Sequence, residues 1–317
     1  MAAMFAARPP AGPPLPGDLH LVRATRSGFS GTAGFLADPA NQARVGEYLA
    51  DMARPYHREV RTGDLGSSAG QSYGEMAAAL IGQVASADEP VDLLVLAFSI
   101  HDLWPGRPTA AYLSHVTPGA PMAFAICDQG SAAAFSGLRV IREYASSAAV
   151  GRALLIVVEQ AVLPYDSPVA PPERHQGVAM LYANAALHGE APPDGDASLD
   201  GDASLDGDAG PTLGRVQTLY QHPDVPPGAV ADLAAADLAA LTASHHEVAV
   251  VLGAALAGLW TDPAAKRVRA MPPGQPSTAV WWGLIDELTG NDHPDLVVVA
   301  DYDPGLRYLC LAAFTIG

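Results

Sequence analysis

Unbroken apolar runs of strand length, "VDLLVLAFS" from Val91 and "RALLIVVE" ending at Glu159, constrain the fold of this chain more than any other feature. A strand without polar alternation has no face to offer water and has to be covered on both sides. Helix-period segments stand beside these runs. "QSYGEMAAALIGQVA" over 71–85 reads as an Ala-rich amphipathic helix, and further helices are predicted over 107–116 and 132–147. With the strand "PMAFAI" between them, strand and helix alternate, which specifies an α/β sheet with buried central strands. The second half repeats the pattern less regularly, with strands predicted at 177–185, 214–220 and 296–302 and helices at 228–242, 246–260 and 278–289.

With 317 residues, 49% of them hydrophobic and 16% charged, the chain can bury a large core. Its formal net charge of -17, from 34 acidic and 17 basic residues, argues against a general affinity for nucleic acid or an anionic membrane face. Six of the Asp residues fall in the repeat "DGDASLDGDASLDGDAG" at 194–210, so the rest of the chain carries about -11 by subtraction. The repeat lacks the Glu that closes an EF-hand loop and the long array of a calcium β-helix, and is expected to be a solvated, disordered insertion over 191–210. Two cysteines, Cys127 and Cys310, make neither a disulfide framework nor a metal spacing, so no metal is expected. The proline-broken start, 1–18, reads as a flexible arm and not a signal peptide. The longest apolar runs are shorter than the ~20 residues that span a bilayer. A cytoplasmic protein is expected, with no membrane or nucleic-acid partner.

Two serine motifs are candidates for chemistry. "GQSYG" at 70–74 fits the elbow of α/β-hydrolases, but the polar, glycine-punctuated "HREVRTGDLGSSA" before it is no strand, so Ser72 is expected at a helix start or in a loop. In "AFAICDQGSAAAFSGLRVIREYASS" (123–147) Ser131 follows an apolar strand and a tight corner, and a helix rich in small residues follows it. A nucleophile fits there, at the positive end of the helix, and so does an ordinary cap. Cys127 is expected to be a small buried core residue, and His175 and His222 surface or loop residues. The dense basic "KRVR" at 266–269 contains the one lysine, Lys266. It could meet the phosphates of coenzyme A or an acidic carrier protein, or be a solvated helix end.

Taken in order, "VDLLVLAFSIHDLWPGRPTAAYLSHV", "AFAICDQGSAAAFSGLRVI" and "RALLIVVEQ" resemble the core of the thiolase-fold condensing enzymes, specifically ketoacyl-acyl carrier protein synthase III and its relatives. The resemblance implies an α/β, layered α-β-α-β-α architecture of two similar halves, 19–165 and 166–317, and a homodimer. It puts Ser131 on the position of the family's nucleophilic Cys. It puts His245, in "SHHEVAVVLGAALAGLW", on the His position, or His246 if the register slips by one. It puts Gln275, in "PGQPSTAVWW", on the position of the Asn. The family's Gly-rich loop, which with the nucleophile's own N–H builds the oxyanion hole, is reduced here to "DYDPGLRY" with Gly305.

These departures change the expected chemistry. A thiol at a helix start can ionise near neutral pH, whereas a hydroxyl needs a base to take its proton as it attacks. His245 is the base the resemblance supplies. Gln275 adds a methylene to the family's Asn, and a displacement near 1 Å can cost on the order of 10²-fold. Acyl transfer is therefore expected over decarboxylative condensation. The implied substrate is an acyl-coenzyme A or acyl-carrier thioester in bacterial polyketide, fatty-acid-like or other natural-product biosynthesis, with no resident cofactor. The alternative is a catalytically silent subunit paired with an active ketosynthase paralogue.

Overall fold

The computed structural model describes residues 19–61, 65, 70–100, 102, 108–147, 150–162, 170–184, 213–290 and 294–316. The arm at 1–18 and the acidic repeat lie outside the described residues.

The elements run β1 (Leu19–Phe29), α1 (Pro39–Ala53), α2 (Tyr73–Val84), β2 (Leu93–Ala97), α3 (Thr109–Val116), β3 (Met122–Ile126), α4 (Ala133–Ser146), β4 (Arg152–Glu159) and β5 (His175–Asn184). They continue with β6 (Gly214–His222), α5 (Val230–Thr242), β7 (Val248–Leu252), α6 (Ala254–Ala257), β8 (Arg267–Ala270), α7 (Ala279–Thr289), β9 (Leu296–Asp303) and β10 (Tyr308–Thr315). The ten strands are ordered β3-β2-β4-β5-β1-β6-β10-β9-β7-β8. From either outer edge inward the order is the same, β3-β2-β4-β5-β1 in one half and β8-β7-β9-β10-β6 in the other. The directions match as well: β2 is parallel to β3 and β4, and β7 to β8 and β9, while the inner pairs are antiparallel. The halves meet where β1 pairs β6 at His20↔Arg215 and Leu21↔Gly214.

Strand alternation turns this sheet into five layers. Leu94, Leu96, Leu154 and Ile156 face outward under α2 and α3, against Tyr73, Leu80 and Leu113. Their neighbours Leu93, Val95, Leu155 and Val157 face inward with Val251, Val297 and Val299 of the second half, and α4 and α7 fill the space between. On the far side Val248, Val250, Leu252 and Val298 pack against Val230, Ala234 and Leu238 of α5. The central layer is tied by the Phe135 and Trp281 rings, 4.8 Å apart at 52°, a geometry worth about 0.5–1.5 kcal/mol beyond area burial. Arg26 of β1 crosses to α7, donating to the Trp282 carbonyl at 2.7 Å and to Asp286 at 2.5 Å. The layered order agrees with the sequence expectation, but β5 pairs with β4 and β1 in the first half, so the boundary expected between 165 and 166 falls inside that half.

β1, α1, β8 and β10 had no counterpart in the sequence reading, and one predicted element differs in type. The helix expected over 246–260 is strand β7 followed by the single turn α6. The β-branched run "VAVVL" satisfies a fully buried central strand, all five residues being buried, and that outweighs the helical propensity of the Ala residues beyond it. Among the described residues no helix is long and apolar enough to cross a membrane.

Candidate active site

Ser131 stands in a single 3-10 turn, Gly130–Ala132, at the mouth of α4, and is buried. It opens on a cavity of about 310 Å³ whose other walls come from the second half: Gly253 and Ala254 past β7, the Pro272–Pro276 loop before α7, and Asp301 and Asp303 at the end of β9. Each wall lies at the C-terminal end of a strand or in the loop beyond one, where open α/β sheets place their ligands.

Two carboxylates hold the Ser131 corner. Asp303 Oδ2 accepts the Ser131 N–H at 3.2 Å, and its Oδ1 accepts the Leu306 N–H at 2.9 Å. Asp301 Oδ1 accepts the Tyr302 N–H at 2.8 Å, and its carboxylate faces the Ser131 side chain in the same cavity wall. Burial pushes the Asp301 carboxyl up to about 7, against the pull of the Tyr302 N–H and the Ser131 side chain and with the help of the nearby Asp303 and Glu159 charges. Glycines make room for both acids. A Cβ on Gly130, whose φ is +50°, would sit 1.8 Å from Asp303 Oδ2, and a Cβ on Gly253 would sit 1.9 Å from Asp301 Oδ1. Neither position accepts a side chain while the acids stay in place.

The other half carries the matching device. Glu159 ends β4 as Asp303 ends β9, and reaches across to the start of α7. Its Oε1 accepts the Ser277 N–H at 2.7 Å. Its Oε2 accepts the Thr278 N–H at 3.1 Å, the Thr278 hydroxyl, and Gln275 Nε2 at 3.0 Å. Burial raises this carboxyl above its ordinary range despite the hydrogen bonds from Thr278, Ser277 and Gln275. So each half ends its central parallel strand in an acid that takes N–H groups at the head of the other half's inner helix.

The three residues assigned by resemblance are distributed unevenly. Ser131 and Gln275 both line the cavity. Gln275 has no free amide group: Nε2 donates to Glu159 and to the Arg174 carbonyl at 3.2 Å, and Oε1 accepts the Arg174 N–H at 2.8 Å. A carboxamide has two N–H donors, and both are used inside the wall. The expectation of Gln275 as a donor to substrate is corrected to a clamp on Glu159 and the loop at Arg174.

His245 is not part of the cavity wall. It lies in the turn before β7, its N–H on the Thr242 carbonyl at 3.0 Å and its Nδ1 3.3 Å from Ser244 Oγ. The cavity opens past the opposite end of that strand, roughly 20 Å away at about 3.3 Å per residue. His246 is at the same end, its N–H bound by Asp295. The misplacement follows from reading β7 as helix: a helix start at 245 would have faced the site, whereas a strand start faces away from it. Gly305 lies in the exposed turn after Asp303, and its neighbour Pro304 is the cavity residue.

The remaining candidates have local roles. Ser72 caps α2 in a capping box with Glu75, as its sequence context indicates. Cys127 is exposed, contrary to the expected burial, because β3 is an edge strand and the chain turns away from the sheet after it; Cys310 is buried. His175 and His222 end strands and are not loop residues: His175 Nδ1 accepts the Ala161 N–H at 3.1 Å, and His222 Nε2 lies 2.5 Å from Asp237. The basic segment forms edge strand β8, not a helix end, and its charges are met within the chain, Arg267 and Arg269 by Glu287 and Lys266 by Glu247. Asp301 and Asp303 went unassigned in the sequence. Their signal was there: two acids at the end of the otherwise apolar "LVVVADYD", where a buried strand has no ordinary use for charge.

No family model matches the chain and no curated protein matches it. Solved structures do. AbyA1, a tetronic acid condensing enzyme, aligns with a TM-score of 0.57 at 12% identity, over 94% of this chain and 99% of that one. The 3-oxoacyl-(acyl carrier protein) synthase III FabH from Pseudomonas aeruginosa PAO1 aligns at 0.52 and 13%, over 94% and 98%. ChlB3, an acyltransferase, aligns at 0.53 and 15%, over 94% and 98%. Likeness at these identities is one of architecture, and the chain has the thiolase-like fold that these condensing and acyl-transferring proteins share.

Proposed function

We propose that this protein takes an acyl group from a coenzyme A or acyl-carrier thioester onto Ser131 and passes it to an acceptor without decarboxylative condensation, in a bacterial natural-product or fatty-acid-like pathway. The observation that carries the reading is the placement of Ser131 in a cavity at the head of α4 that two carboxylates, Asp301 and Asp303, also line. The fold neighbours described as a condensing enzyme and an acyltransferase support the substrate class. Condensation is disfavoured because an enolate needs aimed donors. Among the described residues the cavity wall holds no His, and the Gln275 amide is consumed by its own neighbours.

A second reading, the silent subunit, is favoured by one observation. Asp303 occupies the Ser131 N–H, the donor that an acyl oxyanion would need. The edges of the sheet offer a route to a partner under either reading. Edge strand β3, "MAFAI", is apolar and half-exposed, with Met122 45% exposed, while the opposite edge, β8, is guarded by Arg267 and Arg269. An open apolar edge is a site for strand addition, and a charged one resists it. We therefore assign β3 as the dimer edge, to a second copy or to a ketosynthase paralogue.

Intact-protein mass spectrometry after incubation with a panel of acyl-coenzyme A esters separates the readings. A one-to-one acyl adduct that is absent from Ser131→Ala supports acyl transfer. No adduct, with co-purification of a Cys-bearing paralogue, supports the silent subunit.

A further inference from the structure

We propose that Asp301 is the catalytic base of the Ser131 site, the group that takes the hydroxyl proton as Ser131 attacks a carbonyl. The proposal rests on the reading that Ser131 carries the acyl group.

Among the described residues the cavity wall contains two carboxylates, Asp301 and Asp303, and no imidazole or amine; the Tyr302 hydroxyl, also on strand β9, donates to the Val225 carbonyl. Asp303 is committed on both oxygens to backbone N–H groups, those of Ser131 and Leu306. Asp301 accepts the Tyr302 N–H on Oδ1, and its carboxylate faces the Ser131 side chain in the same wall. The wall opposite has been cleared for it, since any side chain at Gly253 would collide with Asp301 Oδ1. A base has to stand beside the proton it removes, and Asp301 shares the cavity wall with Ser131 where His245 does not.

Basicity agrees with geometry. An ordinary aspartate is too weak a base for an alcohol near neutral pH, and burial raises this one to about 7. The groups that face it are Ser131 from the α4 corner, Asp303 on the same strand, Glu159 at the end of β4, and the Cys310 thiol paired across on β10. Both neighbouring carboxylates push its affinity for a proton upward. The step balances. As the Ser131 Oγ–C bond forms, the hydroxyl proton moves to the Asp301 carboxylate. When the tetrahedral intermediate collapses, the C–S bond breaks with its electron pair on sulfur, and the proton on Asp301 passes to the departing thiolate. The products are the acyl-serine ester and a free thiol.

A fluorophosphonate probe tests this without knowledge of the acyl group. Attack on phosphorus expels fluoride and sends the same hydroxyl proton to Asp301. Labelling would be followed by intact mass from pH 5 to 9 in the wild type, Ser131→Ala and Asp301→Asn, beside the acyl-coenzyme A panel, with thermal melts to confirm folding. We expect the wild-type rate to rise with an inflection near pH 7, Asp301→Asn to lower it about 100-fold or more, and Ser131→Ala to abolish it. Asp301→Asn labelling within threefold of wild type, or a rate flat through pH 7, overturns the proposal even if thioesters acylate Ser131. Probe labelling as expected with no thioester adduct keeps the Asp301 assignment and removes the thioester reading. No labelling by either reagent overturns both.

Discussion

At the scale of single residues the site turns on two aspartates two positions apart, with opposite consequences when removed. Asp303 holds the Ser131 N–H, and one oxyanion donor is worth about 10²–10³-fold in acyl chemistry. Asp303→Ala should therefore speed acylation of Ser131 tenfold or more in a stopped time course, at a stability cost of about 1–3 kcal/mol for the N–H groups left unpaired. An unchanged or slower rate would mean that the N–H takes no part. Asp301 carries a pH signature. Its carboxyl goes from 3.8 in the unfolded chain to about 7 in the folded one, so the unfolded state loses its proton first as pH rises. Folding stability falls between about pH 4 and pH 7, and the penalty is fully present above 7. That gap corresponds to about 4 kcal/mol at most. Asp301→Asn should raise the melting temperature at pH 8 and leave it near wild type at pH 4. The strand, corner and helix that carry Ser131 were legible in the sequence because all three are local signals. The aspartates showed as acids ending an apolar strand, but their role was not legible, because it depends on a contact with a corner about 170 residues earlier in the chain, which no spacing encodes.

At the scale of elements, the inner helices are pinned by crossed acids, β4 to α7 and β9 to α4. Glu159 is 1% exposed and accepts from Gln275, Ser277 and Thr278. Glu159→Gln turns an NH₂ group toward donors that need an acceptor. We expect a loss of about 2–4 kcal/mol in denaturant unfolding, with faster hydrogen exchange in the first turn of α7 than elsewhere in that helix. Uniform acceleration along α7 would count against a local pin. The buried central strands and the helices beside them were read correctly because unbroken apolar runs and 3.6-residue periods are strong signals. β7 was misread because five apolar residues followed by an Ala-rich stretch fit a helix as well as a strand when taken alone. That single reading moved the assigned base to the wrong end of the strand.

At the scale of the whole molecule, the doubled topology sets two halves face to face so that the ends of their central strands share one cavity, and it leaves two sheet edges of unlike character. If β3 is the dimer edge, Met122→Lys with Ala125→Lys, both exposed positions, should convert a dimer to a monomer in light scattering while the melting temperature changes by only a few degrees. A dimer that survives would place the interface elsewhere. The central claim is narrower: a condensing-enzyme architecture that acylates a serine and does not condense. It is tested most directly by loading the protein with an acyl-coenzyme A, adding malonyl-coenzyme A, and following the intact mass. One acyl group on Ser131 is expected, and malonyl-coenzyme A should leave it in place. An acyl group consumed on that addition with release of carbon dioxide, or a protein that never gains the acyl mass, would contradict it.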